Sequence, residues 1–177
     1  KSAEIIESYR KIREDLYKQT IASYMCECLD ASDFDINTFS LLKQSLDILV
    51  DTTHPLRILC VFQSIMNQMH GIEPFVDGCV RCGSTGGVQA ISVSSGGMIC
   101  QECYQGTIDK KKAVEELKRF RLLCKTQLQH YDILKNYNDF TFLDFLSLYE
   151  FFQEYAGVNV RSIRFLKHLY AMEENSK

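Results

Sequence analysis

Several features that would assign a chain at once are missing from this sequence. No apolar run approaches the ~20 residues of a membrane-spanning helix, and residues 1–13 alternate charged with apolar side chains, so no secretory leader is expected. Excess positive charge is also lacking. Lys and Arg number 20 against 23 Asp and Glu, a formal net charge of −3, whereas a self-sufficient nucleic-acid binder is usually basic. There is no Ser/His/Asp set, paired-carboxylate motif or glycine-rich phosphate loop, so no enzymatic chemistry is expected. Tryptophan is absent, as are repeats and low-complexity stretches. The chain starts at Lys1 rather than Met, which suggests a piece of a longer protein.

What is present suits a globular protein. Of 177 residues, 46% are hydrophobic and 24% charged, enough for one large domain or a domain with a small module inserted. Charge is unevenly placed: residues 1–78 carry 7 Lys/Arg against 12 Asp/Glu, and residues 104–177 carry 12 against 10.

Most of the chain has helical periodicity. Ile5, Tyr9, Ile12 and Leu16 predict a helix from about Ala3 to Leu29, with Ser2 as N-cap. After a loop at 30–35, Phe39, Leu42, Leu46 and Leu49 predict a second helix over 38–50, capped by Asn37. Pro55 suits the first turn of a third, whose Leu59, Cys60, Phe62, Ile65, Met66 and Met69 point all round and imply a buried, central helix. Gly71 and Pro74 end it. Val114, Leu117, Phe120, Cys124, Leu128 and Tyr131 share one helical arc. "TFLD" (141–144) is a capping-box signature that opens an aromatic-rich helix running to Tyr155 and stopping at Gly157. The aromatic cluster Phe140, Phe142, Phe145, Tyr149, Phe151, Phe152 and Tyr155 is expected in the core rather than as stacking platforms. Ile163, Leu166, Leu169 and Tyr170 mark the last helix.

Residues 79–103 break this period. Val88, Ala90 and Ile91–Val93 read as a strand, "SSGG" as a turn and Met98–Ile99 as the returning strand. Around this hairpin stand Cys79–x–x–Cys82 and Cys100–x–x–Cys103, 17 residues apart. Each Cys-x-x-Cys turn puts two sulfurs on one side of a tight loop, and two such turns complete a tetrahedron. Gly83 lets the first turn close, and Gly96 and Gly97 permit the hairpin. The soft four-sulfur set suits one Zn²⁺, with a rubredoxin-like iron or free or oxidised thiols as the alternatives. With four protein ligands the coordination is closed, so a metal there holds shape and does no chemistry. A thioredoxin-like redox pair would need only one Cys-x-x-Cys at the start of a helix. Cys26, Cys28, Cys60 and Cys124 lie in apolar helical settings as packing residues, a pattern that fits a reducing cytoplasm.

GATA-type fingers and Arf GTPase-activating proteins use a similar cysteine gap but depend on a Trp that this chain lacks. The stretches "CVRCGS" (79–84), "ISVSSGGMICQEC" (91–103) and "YAGVNVRSIRFLKHL" (155–169) instead resemble the C-terminal portion of the bacterial RecO family of recombination-repair proteins. The resemblance spans nearly all of the chain. It implies a mostly α fold, a helical bundle over residues 1–177 with an inserted four-cysteine zinc finger at 79–103, and no copy of the family's N-terminal OB-fold. It further implies a non-enzymatic mediator in the bacterial cytoplasm, associated with the nucleoid. Such a mediator binds single- and double-stranded DNA, anneals strands, joins RecR, binds the C-terminal tail of single-stranded DNA-binding protein and promotes RecA loading. The alternative is a structural or protein-interaction zinc domain with no DNA binding of its own.

Two basic sets are candidates for such contacts. Lys111, Lys118 and Lys125 recur every seven residues, a drift of about 20° per step if they share one helix. Arg121 lies beside them, and Lys110, Lys112 and Arg119 broaden the patch toward phosphates. Local pairing with Glu115 and Glu116 is the simpler reading. Arg161, Arg164 and Lys167 fall on one face of the last helix, where they could hold a partner tail's carboxylate. Of the histidines, His70 is expected at a helix C-terminus, while His54, His130 and His168 have no acid partner that spacing identifies.

Overall fold

The structure is a computed structural model and describes residues 5, 7–30, 36–131, 134 and 140–174. It is mostly helical, with one small antiparallel sheet. In chain order the elements are α1 (Arg10–Arg13), α2 (Leu16–Asp30), α3 (Ile36–Asp51), α4 (Pro55–Met69), β1 (Val88–Ser92), β2 (Gly97–Cys100), β3 (Lys110–Lys111), α5 (Val114–Cys124), α6 (Phe142–Phe151) and α7 (Ile163–Glu174). Contacts gather these into two compact units, Lys1–Ile58 with Val160–Lys177, and Leu59–Asn159.

In the first unit α2 packs with α3 and α7. Ile21, Tyr24, Met25, Cys28 and Leu29 are buried at helical spacing on α2. The Tyr17 and Tyr170 rings meet edge to face at 5.5 Å, and the Tyr17 hydroxyl donates to the Leu169 carbonyl at 3.2 Å. Glu27 caps the start of α7 by accepting from the Ser162 amide (3.0 Å) and hydroxyl (3.3 Å).

The continuous first helix expected from Ala3 is not formed. Tyr9 sits in the left-handed region (φ 44°), α1 lasts four residues, and α2 begins only at Leu16. The break follows from Asp15, whose carboxylate takes the Lys18 amide at 3.1 Å and caps α2. Ile5 and Leu16 are left exposed. Ser2, Ala3 and the loop at 31–35 lie outside the described residues. α3 starts at Ile36, so Asn37 is inside it. Its buried face is Thr38, Leu41, Ser45 and Leu49, while Phe39, Leu42 and Leu46 line a surface groove with Ile5 and Tyr9. A strip of side chains that is apolar on two adjacent faces does not say which one is covered.

In the second unit the α4 residues from Leu59 onward form the centre, as expected: Leu59, Cys60, Val61, Phe62 and Met66 are buried. Met69, at the end of the helix, is exposed, and Gly71 closes it with φ 68°. Buried and half-buried polar residues on α4 answer neighbouring backbone. The Ser64 hydroxyl donates to Leu123 O at 2.6 Å, and Gln68 Nε2 to Cys124 O (3.1 Å) and Thr126 O (3.2 Å), which satisfies carbonyls at the end of α5. Asn67 Nδ2 donates to Leu148 O at 3.0 Å while accepting from Gln63 at 2.8 Å. α5 stops at Cys124 rather than running to Tyr131, because the Thr126 hydroxyl turns back to Leu122 O and Gln127 is extended.

α6 opens as its sequence predicts. Thr141 and Asp144 exchange cap hydrogen bonds, and Phe145, Tyr149, Phe151 and Phe152 are buried. A π-helical turn at Phe152–Ala156 ends at Gly157 (φ 65°). That turn points the exposed Tyr155 at the hairpin, where its hydroxyl donates to Val93 O at 2.5 Å. The His70 ring lies edge-on to Phe152 at 5.2 Å.

The sheet runs β2–β1–β3. Ala90 faces Ile99, Ile91 faces Met98 and Ser92 faces Gly97, with a bulge between Val88 and Ala90. The turn is 93–96. β3, which the sequence reading missed, pairs Ala90 with Lys111 and Ile91 with Lys110. Phe75 crosses the other edge, giving its amide to Gly96 O and taking that of Met98, both at 2.9 Å. Gly97 is required there, since a Cβ would stand 2.3 Å from Phe75 O.

Candidate metal centre

Two tight turns carry the four cysteines. In the first, the Cys79 amide donates to Ser84 O at 2.7 Å and the Gly83 amide to Cys79 O at 2.8 Å. Gly83 adopts φ 76°, which a β-carbon would oppose. The Val80 amide reaches Met98 O at 2.9 Å and ties this turn to β2. The second turn leaves the end of β2 directly, since Cys100 is its last residue. Ala90 and Ile99 pack beneath Cys79 and Cys100, with Val80, Cys103 and Tyr104 around them.

All four sulfurs lie within 4.8 Å of one another, and Cys82 Sγ is 3.7 Å from Cys100 Sγ. Sulfurs each about 2.3 Å from one tetrahedral Zn²⁺ stand about 3.8 Å apart. The cluster therefore has metal-binding dimensions and a donor set suited to a soft divalent cation. Cys79 is fully buried and Cys82 exposed, so the set spans from core to surface. Burial opposes ionisation of Cys79, but amides of Cys100, Cys82 and Arg81 outweigh it and bring the thiol down to about 6. Hydrogen bonding with Cys82 and Cys100, then burial, pushes Cys103 up to about 12. Crowded sulfurs resist carrying four negative charges together, and a bound cation removes that resistance.

Sequence reasoning missed the group that joins the two turns. Arg81, between Cys79 and Cys82, meets Asp109 in a two-pronged pair (Nη1–Oδ2 and Nη2–Oδ1, each 2.7 Å). Its Nη1 also donates to Cys103 O at 2.5 Å. Asp109 lies outside the Cys-x-x-Cys pattern, and no local signal in the sequence marks it.

The other cysteines are apart from the cluster. Burial raises the thiol pKa of Cys60 and Cys124, and that of Cys28 to about 12, while Cys26 is exposed.

The basic residues do not form one helical stripe. Lys110 and Lys111 are on β3, Lys112 follows it, Lys118, Arg119 and Arg121 are on α5, and Lys125 caps its end. Lys110 pairs with Glu150, Lys112 with Glu116 (3.2 Å) and Lys118 with Glu115 (2.8 Å). Arg121 and Lys125 share Asp77 at 2.8 and 2.9 Å. Arg119 Nε donates to the buried Asp144 at 2.8 Å and braces α5 against α6. Lys111 has no ion-pair partner among the described residues. Arg161 lies in the turn before α7 rather than on it, while Arg164 and Lys167 are on α7; all three are exposed.

A mostly helical protein with a tetracysteine module on a small antiparallel sheet is thus the class these features define. A family model described as Recombination protein O C terminal matches residues 13–132. A DNA repair protein RecO of Bacillus pumilus is 31% identical over 179 residues, covering 97% of this chain and 69% of the relative. Those of Halalkalibacterium halodurans (26% identical; 96% of this chain, 68% of the relative) and Bacillus subtilis (29%; 96% and 69%) are also similar. The chain belongs to the RecO C-terminal family, and with it to proteins of DNA repair and recombination. Among the described residues, no helix is long and apolar enough to cross a membrane.

Proposed function

We propose that this chain is the C-terminal part of a RecO-type mediator, in which residues 79–103 bind one structural Zn²⁺ through Cys79, Cys82, Cys100 and Cys103. The observation that carries the metal reading is the gathering of four sulfurs within 4.8 Å on two facing turns. One role covers residues 1–177: the helices present contact surfaces and the zinc module braces them. The mediator binds single- and double-stranded DNA, RecR and the tail of single-stranded DNA-binding protein, and it promotes annealing and RecA loading in the bacterial cytoplasm at the nucleoid. Family membership supports this reading.

On this reading phosphates meet Lys110, Lys111, Lys118, Arg121 and Lys125, the exposed members of the basic set. Lys111 has no ion pair to give up among the described residues, and the ion pairs of the others are at the surface and weak enough for a phosphate to displace. Partner tails meet Arg161, Arg164 and Lys167, which have no ion-pair partner among the described residues. A labelled oligonucleotide titrated with the chain at about 50 mM salt tests the DNA part. Binding should fall on raising salt and in Lys118→Glu/Arg121→Glu. Pull-down with a tail peptide, lost in Arg161→Glu/Arg164→Glu, tests the other surface.

The six internal ion pairs of the first basic set favour a second reading, a protein-interaction domain with no DNA contacts of its own. Absence of oligonucleotide binding together with retained tail capture would select it.

A further inference from the structure

We propose that Arg81 and Asp109 form a lock that sets the two cysteine turns opposite each other, making them the positioning pair that governs how slowly the module releases its cation. The proposal rests on the four cysteines being a metal site, and it adds residues that donate no ligand.

Arg81 projects from the first turn and reaches three other pieces of chain. At the second turn Nη1 meets Cys103 O at 2.5 Å. At the hairpin turn Nε and Nη2 meet Ser95 Oγ at 3.2 and 2.9 Å, and Ser92 Oγ lies 3.5 Å from Nη2. Beyond the second turn, the fork closes on Asp109 at 2.7 Å on both prongs. Asp109 in turn accepts the Gln105 amide at 2.7 Å and so fixes the segment leaving Cys103. The Asp109 side chain is 0% exposed and that of Arg81 21%. A carboxylate so buried is costly without its partner, so the pair is held to one geometry. Only a guanidinium offers donors to all three pieces at once; a lysine ammonium is a point donor. The separation of the first and second cysteine turns is therefore set by a contact that does not pass through the cation. Ligand turns held in place lose less freedom on binding and separate less readily afterwards.

The test uses the full chain, loaded with Co²⁺ under reducing conditions and challenged with a chelator. Tetrathiolate absorbance reports coordination, release rate reports the lock, and far-ultraviolet circular dichroism reports the helices. Arg81→Met and Asp109→Asn should keep the four-sulfur spectrum and helical signal while releasing the cation roughly 10–100-fold faster. Arg81→Lys should not restore the slow rate. The double variant Arg81→Leu/Asp109→Leu removes the buried unpaired charge and remains informative if a single variant fails to fold; its release should also be fast. Wild-type release rates in these variants would overturn the lock while leaving the metal site standing. A wild-type chain that takes up no Co²⁺ would overturn both.

Discussion

At the scale of single residues, positions with little freedom are those where backbone meets backbone. Gly97 lies beneath Phe75, and a β-carbon would meet its carbonyl at 2.3 Å. Gly97→Ala should therefore destabilise the chain by about 1–3 kcal/mol, seen as a lower urea midpoint at unchanged slope. Equal midpoints would show that the Phe75 crossing moves freely. Asp144 is constrained by its partners: its carboxylate accepts from the Thr141 amide (2.7 Å) and hydroxyl (3.0 Å) and from Arg119 (2.8 Å). Asp144→Ala removes a cap and strands a half-buried guanidinium, with an expected loss of about 3 kcal/mol by the same measurement. Residue-scale legibility in the sequence followed distance along the chain. The Cys-x-x-Cys pairs and the Thr141–Asp144 box are local patterns and were readable. Asp109, 28 residues beyond Arg81, was not, because an ion pair across the module leaves no periodic trace.

At the scale of elements, α5 begins with Glu116 accepting the Ala113 amide at 2.8 Å and Lys112 at 3.2 Å. The Ala113 amide, outweighing partial burial, and then Lys112 hold the Glu116 carboxyl below its ordinary value. A carboxyl lowered by folding adds stability that is fully present above its unfolded value, near 4.3, and is lost as pH falls through the folded one. A carboxyl-detected NMR titration should place the Glu116 midpoint below the ordinary range and move it upward in Lys112→Ala; an ordinary midpoint would refute the cap. The π-turn makes a different link. Tyr155→Phe removes its hydrogen bond to Val93, so the Gly96 amide, bonded to the same carbonyl at 3.0 Å, should exchange faster, at a cost of about 1 kcal/mol. Unchanged exchange would mean the turn holds itself. Periodicity identified α3, α4, α6, α7 and the β1–β2 hairpin. It missed β3, because two consecutive lysines carry no alternation and fit an extended helical stripe equally well. It also ran α1 and α2 together, since Asp15 interrupts the helix through its side chain without disturbing the apolar spacing.

At the scale of the whole molecule, the chain joins two helical units with a tetracysteine module inside the second, and it belongs to a family of DNA repair and recombination proteins. The module and the "YAGVNVRSIRFLKHL" run made that membership legible in the sequence; the amphipathic helices did not, because many helical proteins share their pattern. Surface contacts were the least legible, since a run of lysines looks alike whether it meets phosphate or, as with Lys112 and Lys118 here, a neighbouring glutamate. A closed sulfur cage that braces the second unit is the claim on which the remainder depends. Elemental analysis of protein purified under reducing conditions tests it most directly. One zinc per chain, lost in Cys100→Ser, is the predicted result; metal-free protein whose Cys79, Cys82, Cys100 and Cys103 react freely with a thiol reagent would contradict it.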